Sequence, residues 1–129
     1  MCILLVEDEF LVRAAMAEAL KANGYNVWEA ETGVEAIEAI LRPPFVFSAL
    51  VTDYQMPGVA TGVHLAGILR KKLPDVPVII ATGKPEIFRV RWAKDLGYRL
   101  LPKPYTPSEL VNLVSEMVTG QAMRAAERG

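Results

Sequence analysis

Five short apolar runs, each followed by an amphipathic segment, constrain this chain more than any other feature. The runs are Ile3-Leu4-Leu5-Val6, Tyr25 to Trp28, Ala49-Leu50-Val51-Thr52, Val78-Ile79-Ile80-Ala81, and Tyr98 to Leu101 ending at Pro102. The first, third and fourth are apolar without alternation. A strand reads this way when both of its faces are covered, as in a parallel sheet with crossover helices above and below it.

The segments between the runs have helical spacing and helical punctuation. Val12, Met16, Ala19 and Leu20 share one face, and Asn23-Gly24 supplies a stop. Thr32 and Glu35 have capping-box spacing, Ile37, Ile40 and Leu41 follow, and Arg42-Pro43-Pro44 ends that segment. Leu65, Ile68, Leu69 and Leu73 mark a third helix closed by Pro74. Pro85 suits the first turn of a fourth, which Gly97 closes. Thr106-Pro107-Ser108-Glu109 opens a fifth, with Leu110, Leu113, Val114, Met117 and Val118 on one stripe. The order is strand then helix, five times. Right-handed crossovers place the helices on both faces, which predicts an α/β fold: an open, doubly wound (βα)5 sheet in a three-layer sandwich.

The chain has 129 residues, suited to one domain, with no internal repeat or linker. The domain is expected over 1–119, with 120–129 as a C-terminal helix extension or flexible tail. Charged residues make up 22% and no apolar run reaches the ~18 residues of a membrane span, so a cytoplasmic protein is expected. Cys2 is the only cysteine and His64 the only histidine, which excludes a disulfide, a zinc thiolate site and a multi-histidine metal site. Cys2 reads as a small hydrophobe opening the first strand, and His64 as part of the third helix. A formal net charge of −1 gives nucleic-acid binding no global support. The local basic cluster Arg89, Arg91 and Lys94 reads as the solvated side of a helix.

In open α/β sheets, sites form beyond the carboxyl ends of the strands. Glu7 and Asp8 follow the first run, Asp53 the third, Thr82-Gly83 the fourth and Lys103-Pro104 the fifth. Each has a structural explanation alone: helix N-terminal acids, a turn aspartate, a strand threonine, a surface lysine. Together they place three carboxylates, a hydroxyl and an amine at one edge. Carboxylates a few Å apart repel by ~4 kcal/mol per pair at an effective dielectric of 20. Lys103 supplies one compensating charge, and a divalent cation would supply two. Oxygen donors without histidine or thiol favour Mg²⁺ or Mn²⁺. Beside such an ion Asp53 is a candidate phosphoryl acceptor, with the lysine and the hydroxyl stabilising the transferred group.

The pieces ILLVEDE (3–9), LVTDYQMPG (50–58), VPVIIATG (76–83) and LPKPYTPSEL (101–110) together resemble the receiver domain of two-component response regulators. The resemblance implies a flavodoxin-like parallel sheet of order 2-1-3-4-5. It implies that Asp53 accepts a phosphoryl group from a histidine kinase or phosphotransfer protein, that Thr82 is the switch hydroxyl and that Lys103 pairs with the phosphoryl group. Asp8 and Asp53 would bind Mg²⁺ directly, Glu7 through a metal-bound water, and Gln55 through its backbone carbonyl. Pro104 matches a proline often preceded by a cis bond. Such a protein is a signalling phosphoacceptor rather than an enzyme with an external substrate, though it promotes its own phosphorylation and dephosphorylation. Its partner face is formed by the fourth and fifth helical segments and the fifth strand, with Arg89, Arg91, Trp92 and Lys94 on or near it. That face would serve a downstream protein or a second copy of the chain. No output domain follows, so a stand-alone receiver or a piece of a longer regulator is expected.

The sequence also departs from the family pattern. Glu7 replaces the commoner aspartate, and Leu100 stands where many receivers carry a switch aromatic, leaving Tyr98 or Tyr105 to substitute by different geometry. The loop 58–62 is one residue longer than usual, and Ile80-Ala81-Thr82-Gly83 partly resembles a subgroup with Phe-Ala-Thr-Gly. The alternative reading is a phosphorylation-independent interaction module. A flavin carrier is disfavoured because Glu7-Asp8-Glu9 would repel a flavin phosphate. An Asp-x-Asp phosphatase is disfavoured because Gln55 occupies the second aspartate position.

Overall fold

The computed structural model describes residues 2–42, 46–55, 61–83 and 96–128, with the side chains of 121–128 set aside. The expectations attached to Pro43, Pro44, the 58–60 part of the loop, Pro85, Arg89, Arg91, Trp92 and Lys94 lie outside the described residues. Strands β1 (Cys2–Val6), β2 (Asn26–Ala30), β3 (Ala49–Asp53), β4 (Val78–Thr82) and β5 (Arg99–Pro102) form one parallel sheet of order β2-β1-β3-β4-β5. The described helices are α1 (Phe10–Ala22), α2 (Gly33–Leu41), α3 (Gly62–Lys72) and α4 (Pro107–Arg128), the last being the fifth helical segment of the sequence. The doubly wound parallel sheet and its strand order are thus observed, while the expected fourth helix lies outside the described residues.

Side-chain alternation sorts the strand residues into two cores. Leu4, Val6, Leu50, Val78 and Ile80 pack with Ala36, Ile40, Leu65 and Leu69 of α2 and α3. Ile3, Leu5, Val51, Ile79 and Leu101 pack with Met16, Leu20, Leu110 and Val114 of α1 and α4. Every residue of β3 and β4 is buried, which explains their continuous apolar reading. The two edge strands are the ones the sequence blurs. β2 pairs only with β1, and its ladder runs on through Glu29 and Ala30, past the expected end at Trp28. An exposed Glu29 is tolerated there because one face of an edge strand meets solvent and cationic side chains. β5 ends on Pro102, which an edge can accept because proline lacks only the donor.

The helix boundaries follow their caps. The Glu35 N–H donates to Thr32 Oγ1 at 3.1 Å, but the Glu35 carboxylate reaches back to the Glu31 N–H at 2.8 Å, one residue before the expected partner. Thr61 caps α3 by accepting from the His64 N–H, and Thr106 caps α4 by accepting from the Glu109 N–H. α1 lacks such a cap: Glu9 holds the N-cap position with no side-chain hydrogen bond. Glu7 and Asp8 therefore precede the helix rather than serving its first turn. Gly24 takes φ 91° just beyond α1, the left-handed turn that lets the chain reverse into β2.

Candidate acidic site at the carboxyl edge of the sheet

Parallel pairing fixes the height at which each strand delivers its last residue. Val6 lies opposite both Ala30 and Thr52, and Asp53 lies opposite Ala81. Glu7 thus leaves β1 level with the end of β3, and Asp53 is still held in the ladder. The Tyr54 N–H donates to the Ala81 carbonyl at 2.8 Å, and the Lys103 N–H donates to the Thr82 carbonyl at 2.9 Å. These backbone bonds stack the ends of β3, β4 and β5 side by side.

Carboxylate oxygens of Glu7, Asp8 and Asp53 lie within 4.8 Å of one another. Lys103 Nζ stands 2.7 Å from Asp53 Oδ1 and 3.8 Å from Glu7 Oε2. Glu7 is 2% exposed and Asp53 3% exposed, whereas the Lys103 side chain is 35% exposed. Two buried carboxylates therefore share one ammonium that reaches in from the surface. Both Asp53 oxygens are buried, and among the described residues Lys103 is the cation that reaches them. Buried carboxylates that share a cation are costly, and this donor set of hard oxygens suits a small divalent cation.

Burial pushes the Glu7 carboxyl up to about 8, reinforced by its hydrogen bond to Asp53 and by that residue's charge. A like charge this close disfavours ionisation of Glu7. Burial opposes the charge on Lys103, but the hydrogen-bonding and charge of Asp53, with Glu7 and Glu9 behind it, raise its pKa overall. Tyr105 is half-buried, and burial together with the same two acids pushes its phenol well above the usual range. Glu7, Lys103 and Tyr105 also border a largely apolar groove of about 570 Å³ against α1, so the cluster is not sealed inside the sheet.

Thr82 is the last residue of β4, 4% exposed, opposite Pro102 in the ladder. Gln55 is exposed two residues beyond Asp53. The Lys103–Pro104 peptide is cis. Leu100 is half-buried against the α2/α3 core. His64 is exposed in the first turn of α3.

Arg13 is a residue that sequence reasoning passes over. From α1 its Nη1 donates to the Glu7 carbonyl at 2.7 Å, and its Nε lies 3.4 Å from Glu29 of β2. Its signal was available: a cation in the first turn of a helix opposes the helix dipole, so it needs a partner elsewhere.

The comparisons agree with this geometry. Residues 3–115 match the family described as response regulator receiver domain. The sensor kinase CckA of Brucella abortus (strain 2308) is 38% identical over 120 residues, which cover 92% of this chain and 13% of that protein. The solved receiver domain from hybrid histidine kinase CckA superposes with a TM-score of 0.76 at 31% identity, covering 92% of this chain and 99% of that one. The non-phosphorylated HemR receiver domain from Leptospira biflexa gives 0.76 at 30% identity, covering 91% and 93%. This chain spans only 13% to 56% of the length of the curated relatives it first matches. Its strand order, its edge acids and these matches make it a member of the response regulator receiver domain family of two-component systems.

Proposed function

We propose that Asp53 is the phosphoacceptor and that a histidine kinase or phosphotransfer protein is the donor. The observation that supports this reading is the crowding of Glu7, Asp8 and Asp53 within 4.8 Å beside the Lys103 ammonium. Such a cluster is poorly compensated until a cation and a phosphoryl group complete it. An Asp53 carboxylate oxygen attacks phosphorus as the P–N bond of a phosphohistidine breaks, and the electron pair returns to the imidazole. Lys103 pairs with a phosphoryl oxygen and Thr82 donates its hydroxyl to another. Asp8, Asp53, the Gln55 carbonyl and, through water, Glu7 would hold Mg²⁺ or Mn²⁺. When bound, the ion would neutralise the acids and withdraw charge from the phosphoryl oxygens. Attack of water on phosphorus later returns the carboxylate and inorganic phosphate, so the domain promotes both its own phosphorylation and its own dephosphorylation.

The acyl phosphate adds charge and acceptor oxygens at the edge, biasing a partner face that includes β5 and α4. A downstream protein or a second copy of this chain would read that face. We place the receiver unit at 1–119, with 120–129 as a C-terminal helix extension or flexible tail, and its activity in the cytoplasm. Among the described residues no helix is long and apolar enough to cross a membrane.

One observation favours a second reading. Leu100 packs into the core where many receivers carry a switch aromatic, which suits an interaction module that ignores phosphorylation. Intact mass after incubation with a small acyl-phosphate donor separates the two. The expected result is a gain of one phosphoryl group that disappears in Asp53→Asn and without Mg²⁺. A wild-type protein that never gains the mass would leave the interaction module standing.

A further inference from the structure

Lys103 pairs with Asp53 Oδ1 at 2.7 Å, and the backbone around Asp53 sets the point from which that carboxylate projects. That backbone is pinned from two sides. The Thr52 hydroxyl donates to the Asp53 carbonyl at 3.0 Å, and α3 begins directly against the same carbonyl. A Cβ built on Gly62 would stand 2.2 Å from the Asp53 carbonyl oxygen, 3.1 Å from its carbon and 3.0 Å from Thr52 Cγ2. Real Cβ atoms do not approach backbone oxygen so closely, and a backbone carbonyl held in a ladder cannot swing aside as a side-chain tip can. The same approach lets the Gly62 N–H donate to the Tyr54 carbonyl at 3.0 Å, closing the turn that follows Asp53. Gly62 has no left-handed φ, so contact alone demands a glycine here.

We infer that Gly62 is a positioning residue for the phosphoacceptor: its bare Cα lets the N-terminus of α3 abut the end of β3 and fix the direction of the Asp53 carboxylate. This rests on the proposed role of Asp53. The same helix carries an internal control, because a Cβ on Gly67 would meet nothing within 4 Å.

Four proteins test the inference: wild type, Gly62→Ala, Gly67→Ala and Leu69→Ala. Leu69 lies in the same helix, fully buried in the core away from the acids, so its truncation loosens α3 without touching Asp53. Calorimetric Mg²⁺ titration and the rate of acyl-phosphate formation by intact mass are read well below each thermal midpoint. Gly62→Ala should weaken Mg²⁺ binding and slow phosphorylation at least ~10-fold, a barrier change of about 1.4 kcal/mol. Gly67→Ala and Leu69→Ala should keep wild-type values in both. Wild-type Mg²⁺ affinity and rate in Gly62→Ala, or equal losses in Leu69→Ala, would overturn the inference. Should Gly62→Ala not fold, amide spectra of the wild type decide. Mg²⁺ should shift the Gly62 resonance and leave Gly67 unmoved, and an unmoved Gly62 refutes it. If wild type itself takes no phosphoryl group, the role of Asp53 fails first, and that outcome is distinct from a Gly62→Ala that reacts normally.

Discussion

The middle of β3 and its end are equally hidden from water and obey opposite rules. Leu50 and Val51 are 0% and 2% exposed, and Asp53, two residues further on, is 3% exposed. Burial of the two aliphatic chains contributes stability, about 1.5 to 3 kcal/mol each. Burial of Asp53 beside Glu7 costs stability, because among the described residues the two carboxylates share one partly exposed ammonium. The strand supplies rigidity in both places. In the core that rigidity serves packing, and at the edge it holds a charge where water would disperse it. Depth alone therefore does not reveal what a buried residue is for; the chemistry of its neighbours does.

That contrast can be broken most sharply by exchanging charge for shape. Asp53→Asn should abolish phosphoryl incorporation, a loss of more than ~10³-fold in rate, or about 4 kcal/mol in barrier. The same variant should unfold no earlier than wild type in metal-free buffer, because it relieves the repulsion with Glu7. A destabilised Asp53→Asn would mean that the Lys103 pair outweighs that repulsion. Leu50→Ala should do the reverse: a loss of about 2 to 5 kcal/mol by denaturant unfolding, with phosphorylation retained while the protein is folded.

Mg²⁺ sharpens the comparison further. Saturation at a hundredfold its dissociation constant should stabilise wild type by ~2.7 kcal/mol. Glu7→Gln and Asp53→Asn should lose most of that gain, and Leu50→Ala should keep it. Thermal midpoints with and without the ion read the difference.

The pH dependence has a definite sign. Glu7 has a folded pKa of about 8 against an ordinary 4.5, so the folded state binds more protons between those values. Its contribution is fully present below 4.5 and is lost as pH rises through about 8. Metal-free stability should accordingly decline across that window, and Glu7→Gln should flatten the decline. Lys103 is also raised, but its contribution is lost only above its ordinary 10.5, outside the window. A metal-free midpoint that climbs from pH 5 to 8 in wild type but not in Glu7→Gln would reverse the assignment. The smallest effect belongs to a position far from the acids. Thr32→Ala removes the α2 cap and should cost about 1 kcal/mol with no change in phosphorylation.

Much of this was legible residue by residue. Ile3 to Val6, Ala49 to Thr52 and Val78 to Ala81 announced buried parallel strands because both faces of each are covered. Thr32 and Thr106 announced helix starts because a cap depends on residues only three apart. β2 was shortened at Trp28 because an edge strand mixes Glu29 into its ladder, so periodicity weakens where one face meets solvent. The role of Arg13 is not legible locally, because its partners, the Glu7 carbonyl just past β1 and Glu29 of β2, are brought together only by strand pairing.

By itself the sequence determined the alternation of strand and helix, the caps, and the presence of an acid set, a hydroxyl and an amine each just past a strand. These follow from interactions among near neighbours in the chain. Only the tertiary structure decided the distances: that Lys103 reaches both Asp53 and Glu7, and that Gly62 presses on the Asp53 carbonyl. Those contacts depend on strand register and helix approach, which the packing of two cores sets across the whole fold and no local pattern records.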